Sequence, residues 1–154
     1  MPKKSSAGLL LFRKVAELPE VFLVHPGGPF WKNKDEGAWS IPKGEFDENE
    51  EPLEAAKREF FEETGKMISG KFIPLKPVKT KSGKTIYAWA VEKDIEAVDN
   101  VSNLFELEWP PHSGNFEKFP EVDKAEWFLI TEAKEKISRG QVLLLNELEK
   151  ILSA

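Results

Sequence analysis

Two short apolar runs, at positions 7–12 and 21–25, stand close together near the start of the chain with a charged, proline-containing connection between them. Runs of that length bounded by turn residues predict two buried strands forming a hairpin. Positions 26–37 are dense in glycine, proline, asparagine and charge, and predict a surface loop that carries Phe30 and Trp31. Trp39-Ser40-Ile41 reads as a brief extended piece ended by Pro42, which brings no ladder N–H and biases its predecessor away from helix. From 52 to 64 the period changes: Leu53, Ala56 and Phe60 recur at helical spacing, Pro52 suits the first turn and Gly65 stands just past the end.

Beyond that helix, 71–91 alternates broadly, and Ser82-Gly83 between 78–81 and 84–91 predicts a second hairpin. Short strands follow at 104–109 and 126–129, separated by a loop running from Pro110 to Pro120 that is long enough to close over a site. Thr131 is placed to cap a helix over 132–152 with a break near Gly140. Strands and helices mixed in this order, with no repeat or linker, predict one α/β (α+β) domain spanning 1–154.

Composition narrows the chemistry. The 154 residues lack cysteine, which removes thiolate metal sites and cysteine nucleophiles, so any metal must sit on oxygen or imidazole. No apolar run is long enough to span a bilayer, and the start of the chain does not resemble a signal peptide, so a cytoplasmic protein with no membrane partner is expected. A net charge of -5 argues against broad binding to a nucleic acid duplex; an anionic small molecule would need local neutralisation, most simply by a cation.

Within the 52–64 helix, Glu59, Glu62 and Glu63 fall at i, i+3 and i+4, on one face within one turn. Like charges so spaced repel by roughly 0.2–0.5 kcal/mol per pair, a cost a solvated acidic face can carry. The surroundings tip the balance towards chemistry. Gly44, five residues, Glu50, seven residues, then Arg58-Glu59-Phe60-Phe61-Glu62-Glu63-Thr64-Gly65 resembles the Nudix box, with every fixed letter of that pattern present. Only the final bulky position departs, being Lys66.

The resemblance implies a Nudix fold, an α/β/α sandwich with a central mixed sheet, and Mg²⁺-dependent (or Mn²⁺-dependent) cleavage of a pyrophosphate bond in a small nucleotide substrate by a monomer or homodimer. It implies metal ligation by Glu59, Glu62, Glu63 and the Gly44 carbonyl, with Arg58 and Glu50 as a pair that orients the ligands. Hard oxygen donors suit Mg²⁺, and a bound cation can orient and acidify an attacking water. The general base is left open between Glu59 and Glu62 in the box and Glu117 and Glu121 beyond it.

For the substrate, Trp39-Ser40-Ile41-Pro42-Lys43-Gly44-Glu45 resembles the approach to the box in dinucleoside polyphosphate hydrolases, those of diadenosine tetraphosphate among them. Lys43 is a candidate phosphate contact, and Trp31, Trp39 and Tyr87 are candidate substrate contacts. Tyr87 lies somewhat further beyond the box than the tyrosine of those enzymes. A nucleoside triphosphate pyrophosphohydrolase and a non-catalytic nucleotide-binding domain stay open as alternatives. Ser82-Gly83-Lys84-Thr85 lacks the upstream glycine and following helix of a phosphate-binding P-loop. Of His25 and His112, the only histidines, a structural role is the expected one, with His112 the more suspect because its loop could cover the substrate.

Overall fold

The computed structural model describes residues 5–97 and 104–153. The first hairpin is β1 (Ser5–Val15) and β2 (Leu18–Pro26), followed by the short β3 (Lys43–Phe46) and helix α1 (Pro52–Thr64). Then come β4 (Ile73–Pro74), β5 (Val78–Lys79), β6 (Thr85–Glu92), β7 (Leu104–Glu108), β8 (Phe116–Pro120) and β9 (Val122–Leu129). Helix α2 (Ile130–Lys136), a 3-10 turn at Arg139–Gln141 and helix α3 (Val142–Ser153) complete the order.

The main sheet runs β4-β6-β1-β2-β9, with β3 added to β1 and β5 to β6. It is mixed, because β1 and β6 are parallel while the other pairs are antiparallel. Successive side chains of β1 point to opposite faces. Leu10 and Phe12 join one core with Leu144, Leu145 and Leu148 of α3, while Leu9 and Leu11 join another with Ala55, Ala56 and Phe60 of α1. Helices on both faces make the expected α/β/α sandwich, and they explain why β1 and β2 read as unbroken apolar runs rather than alternating ones.

One edge of β1 is shared, and that sharing positions the site. Near its C-terminal end β1 pairs with β2, Phe12 opposite Val21, while at its start Ser5–Gly8 pairs with β3, Gly8 opposite Lys43. Between the two, the Leu9 N–H donates to Pro42 O at 3.2 Å. Gly8 permits this close approach: a Cβ there would lie 2.5 Å from the Pro42 carbonyl oxygen.

The sequence departs from the structure in three places outside the site. Positions 116–120, expected inside a loop, form β8, paired antiparallel to β7 with Phe105 opposite Phe119. The tip is a capped turn: Trp109 N–H donates to Asn115 O at 2.8 Å, and the Glu108 carboxylate accepts the N–H groups of His112 and Gly114 at 3.0 and 3.2 Å. Only short pieces of 71–79 are strand, although the Ser82-Gly83 turn and the Val78 to Ile86 pairing are present as expected. Helix α2 begins at Ile130 directly from β9 with no side-chain cap, so Thr131 lies inside its first turn; the break near Gly140 is the 3-10 turn.

Candidate active site

Helix α1 buries Ala55, Ala56 and Phe60 against the sheet, burial on the order of 1.5–3 kcal/mol for a side chain such as Phe60. That fixes its rotation, so Glu59 and Glu63 flank β3. The Glu59 carboxylate packs on the backbone of Gly44, where an added Cβ would lie 2.0 Å from the carboxyl carbon. Glu63 accepts the N–H of Lys43 at 3.0 Å. The strand before the box and the helix within it are thus joined through two of the box carboxylates.

Arg58 holds the remaining geometry. Its guanidinium grips Glu50 with two bonds, Nε to Oε2 at 2.8 Å and Nη2 to Oε1 at 3.0 Å, the pairing the box resemblance implies. Its Nη1 also donates to Glu59 at 2.8 Å and Glu62 at 3.2 Å. Such a planar fork serves several carboxylates at once, which a lysine cannot do. The Arg58 bonds hold Glu50 below the usual carboxylate range, and the Glu50 bond, reinforced by Glu59 and Glu62, raises Arg58 itself.

Other carboxyls move the opposite way. Burial, then the charge of Glu59, pushes Glu63 well above the ordinary range; burial also raises Glu59, with Glu62 adding to it against the Arg58 bond. Burial lowers the Lys43 ammonium despite the nearby Glu63. Glu121, at the entry to β9, is raised by burial and by the charge of Glu62, and its own charge is felt at Glu59 and Glu63. Carboxyls crowding one another in this way, Glu59 and Glu63 half-buried and Glu121 at the surface, describe a place short of positive charge.

Hard oxygen donors with that deficit fit a divalent cation by their chemistry. In this arrangement Glu59 and Glu62 lean on Arg58 and Glu63 on the Lys43 amide, and no three carboxylates or imidazoles converge tightly enough to hold an ion among the described residues.

The outlying candidates separate. Glu117 on β8, opposite Leu107, and Glu121 are both exposed, but Glu121 lies within electrostatic reach of the box, so the structure brings only the second of the two towards it. Trp39 is corrected: it is 3 % exposed in the core on the face opposite α1, edge-on to Phe128, its indole N–H donating to Asp35 at 2.8 Å. Buried to that extent, it has no open surface to offer a substrate. Tyr87 lies opposite Ala7, on the α1 side of the sheet, 6.1 Å from Phe46 of β3. Trp31 lies in the loop after β2, edge-on to the exposed Phe30, with the Lys34 ammonium 3.6 Å from the Phe30 ring centroid.

Sequence reasoning missed His25 as more than a packed residue. Its ring is buried and engaged at both nitrogens, by Asp123 and by the Lys34 carbonyl. The signal available was a lone titratable residue closing an otherwise apolar strand run.

The fold and site together are a mixed sheet between helices, with a carboxylate-bearing helix laid against a glycine backbone. The NUDIX domain family model matches residues 2–147, and the chain belongs to the Nudix family. Among solved structures, it resembles a C. elegans Ap4A hydrolase in a binary complex at 20% identity and TM-score 0.66, over 96% of this chain and 98% of that one. The NUDIX domain of Shewanella oneidensis NrtR, complexed with ADP ribose, is similar at 16% identity and TM-score 0.69, over 99% and 90%. These likenesses show the fold. An RNA pyrophosphohydrolase of Bartonella henselae is 67% identical over 27 residues, a stretch spanning 18% of this chain and 16% of that protein.

Proposed function

We propose that this protein hydrolyses a pyrophosphate bond of a nucleoside polyphosphate with the help of Mg²⁺ or Mn²⁺, held by Glu59, Glu62, Glu63 and the Gly44 carbonyl. The observation that carries this reading is the seating of Glu59 on the Gly44 backbone beside a Glu63 carboxyl pushed well above its ordinary range. When bound, the cation supplies charge neutralisation of the diphosphate and acidification of the attacking water.

The chain's own residues do the rest. Arg58, anchored by Glu50, orients Glu59 and Glu62. Glu121 takes the proton of the attacking water: its raised carboxyl lies closer to the working range of a general base than an ordinary glutamate does. Glu59 and Glu62 are the less suited bases, because both already accept from Arg58. Lys43 contributes a positive charge for a phosphate oxygen, and Trp31 and Tyr87 supply aromatic surface for a base.

Dinucleoside polyphosphates such as diadenosine tetraphosphate are the favoured substrates, on the residues 39–45 leading into the box. A nucleoside triphosphate is the alternative substrate, and the 27-residue likeness to an RNA pyrophosphohydrolase supports adding the pyrophosphate-bearing end of an RNA to the candidates. The proposal includes a cytoplasmic monomer or homodimer. Among the described residues no helix is long and apolar enough to cross a membrane.

The test is a panel of nucleoside triphosphates, diadenosine polyphosphates, ADP-ribose and 5′-triphosphate RNA, with Mg²⁺ or chelator, against wild type, Glu62→Gln and Glu63→Gln. Metal-dependent cleavage lost in both variants establishes the activity, and the fastest substrate chooses between the readings. No turnover across the panel, with nucleotide binding retained, replaces hydrolysis with a binding function.

A further inference from the structure

We propose that His25 is a positioning residue: a buried imidazole that ties the loop bearing Phe30 and Trp31 to the segment bearing Glu121, through a clamp complete only when both ring nitrogens carry hydrogen. What that loop and Glu121 do in turnover rests on the function proposed above; the clamp itself does not.

His25 is 1% exposed, next to last in β2. Its Nδ1 lies 2.8 Å from Asp123 Oδ1 and its Nε2 lies 2.6 Å from the Lys34 carbonyl oxygen. A carbonyl and an ionised carboxylate are both acceptors, whereas a neutral imidazole offers one N–H and one lone pair. With the second hydrogen absent, one nitrogen of the buried ring would turn a lone pair onto an oxygen, which buried polar groups avoid.

The two partners are what the site needs held together. Lys34 belongs to the loop after β2 and caps the Phe30 ring with its ammonium, and Asp123 follows Glu121 by two residues. At the same junction the Gly27 N–H donates to the Glu121 carbonyl at 2.9 Å, and the register between β2 and β9 shifts between His25 and Pro26. The loop and the Glu121 segment therefore meet at His25.

Other charged groups near the ring come from three elements. Lys124 of β9 is its register partner and is exposed. Asp35 of the loop is held by Lys136 of α2 and by the Trp39 indole N–H. The Trp39 ring lies edge-on to the imidazole at 5.2 Å between centroids. Asp35 and Lys136 satisfy each other, which leaves Asp123 as the carboxylate that sets the proton requirement.

The test follows the ring nitrogens, the Lys34 amide and the Trp31 indole by ¹⁵N NMR from acid to mildly alkaline pH, in wild type, Asp123→Asn and His25→Gln. In wild type the Lys34 and Trp31 signals should hold wherever both ring nitrogens are seen as N–H, and move wherever one of them is not. In Asp123→Asn the introduced side-chain amide donates its N–H to a neutral ring that still donates to Lys34, so the Trp31 signal of that variant should stay fixed across the range. His25→Gln cannot donate to both partners and should show Trp31 displaced at every pH. With the fastest substrate, wild-type KM should rise wherever NMR shows the second ring hydrogen gone, while Asp123→Asn loses that limb of the profile.

A neutral imidazole with Trp31 and Lys34 in place, signals indifferent to the loss of the proton, or an Asp123→Asn profile identical to wild type would each overturn the clamp. If no substrate turns over, the proposed activity fails, and the NMR arm still decides the clamp.

Discussion

The carboxylate of Glu59 fills the space that a side chain on residue 44 would need, with the carboxyl carbon 2.0 Å from where a Cβ of Gly44 would lie. The glycine at the head of the box is therefore required by a contact with another box residue. Gly44→Ala should displace a flexible carboxylate rather than backbone. It is expected to lower metal-dependent turnover by roughly 10- to 100-fold, the range for losing a ligand-orienting contact, while calorimetry shows little change in Tm. A large fall in Tm with proportionate activity in the surviving fold would contradict this.

Arg58→Lys keeps the charge and loses the fork. One ammonium cannot hold Glu50 by two bonds while also bonding Glu59 and Glu62. Turnover is expected to fall by roughly 10- to 100-fold, with Mg²⁺ affinity measured by titration weakening alongside it. Unchanged metal affinity would show that the arginine does not orient the ligands.

The raised Glu63 carboxyl gives the chelated protein a distinctive pH response. A carboxyl that binds its proton more tightly in the folded chain than in the unfolded one stabilises the fold below the ordinary carboxylate range. That contribution is lost as pH rises through the raised value. Calorimetry in chelator should show Tm falling between mildly acidic and neutral pH, and the fall should shrink in Glu63→Gln. Added Mg²⁺ should reverse it, because the ion binds the ionised folded site. A Tm that rises over the same interval in chelator would refute the assignment.

Glu121 and Glu117 were equivalent candidates in the sequence and are not in space. Glu121→Gln is expected to cut kcat by roughly 10²- to 10⁴-fold and remove the acid limb of the pH profile, as for a lost general base. Glu117→Gln should behave as wild type, since it lies on β8 opposite Leu107 and, unlike Glu121, is not among the main charges acting on Glu59 and Glu63. Equal activity in both variants would return the base to the box.

Helix α1 was legible because its information is local: a 13-residue amphipathic stretch with proline at its head and glycine behind it. The order of the box also made the Arg58 to Glu50 pairing readable. Trp39 was misread because closeness in sequence to Gly44 says nothing about direction: it joins the Leu10 face of the sheet, while the box faces the other way. The strand at Phe116–Pro120 was hidden by the turn formers before it, and its pairing depends on β7, not on any period of its own. Glu121 was separated from Glu117 only by where β8 ends and β9 begins. The His25 clamp was out of reach because it joins three segments whose meeting only the folded sheet creates.

The parallel pairing of β1 with β6 has a consequence for how the molecule comes to exist. Ser5 lies opposite Thr85 and Phe12 opposite Glu92, so the strand that supports β3 from one side waits for a far later part of the chain to cover the other. Pairings this distant form slowly, after the cost of closing the intervening loop has been met. During synthesis, a nascent chain ending before β6 presents one edge of β1 with its ladder groups unpaired, the kind of edge that seeds association between chains. The Nudix box is then translated in full before the surface that will aim it has been closed.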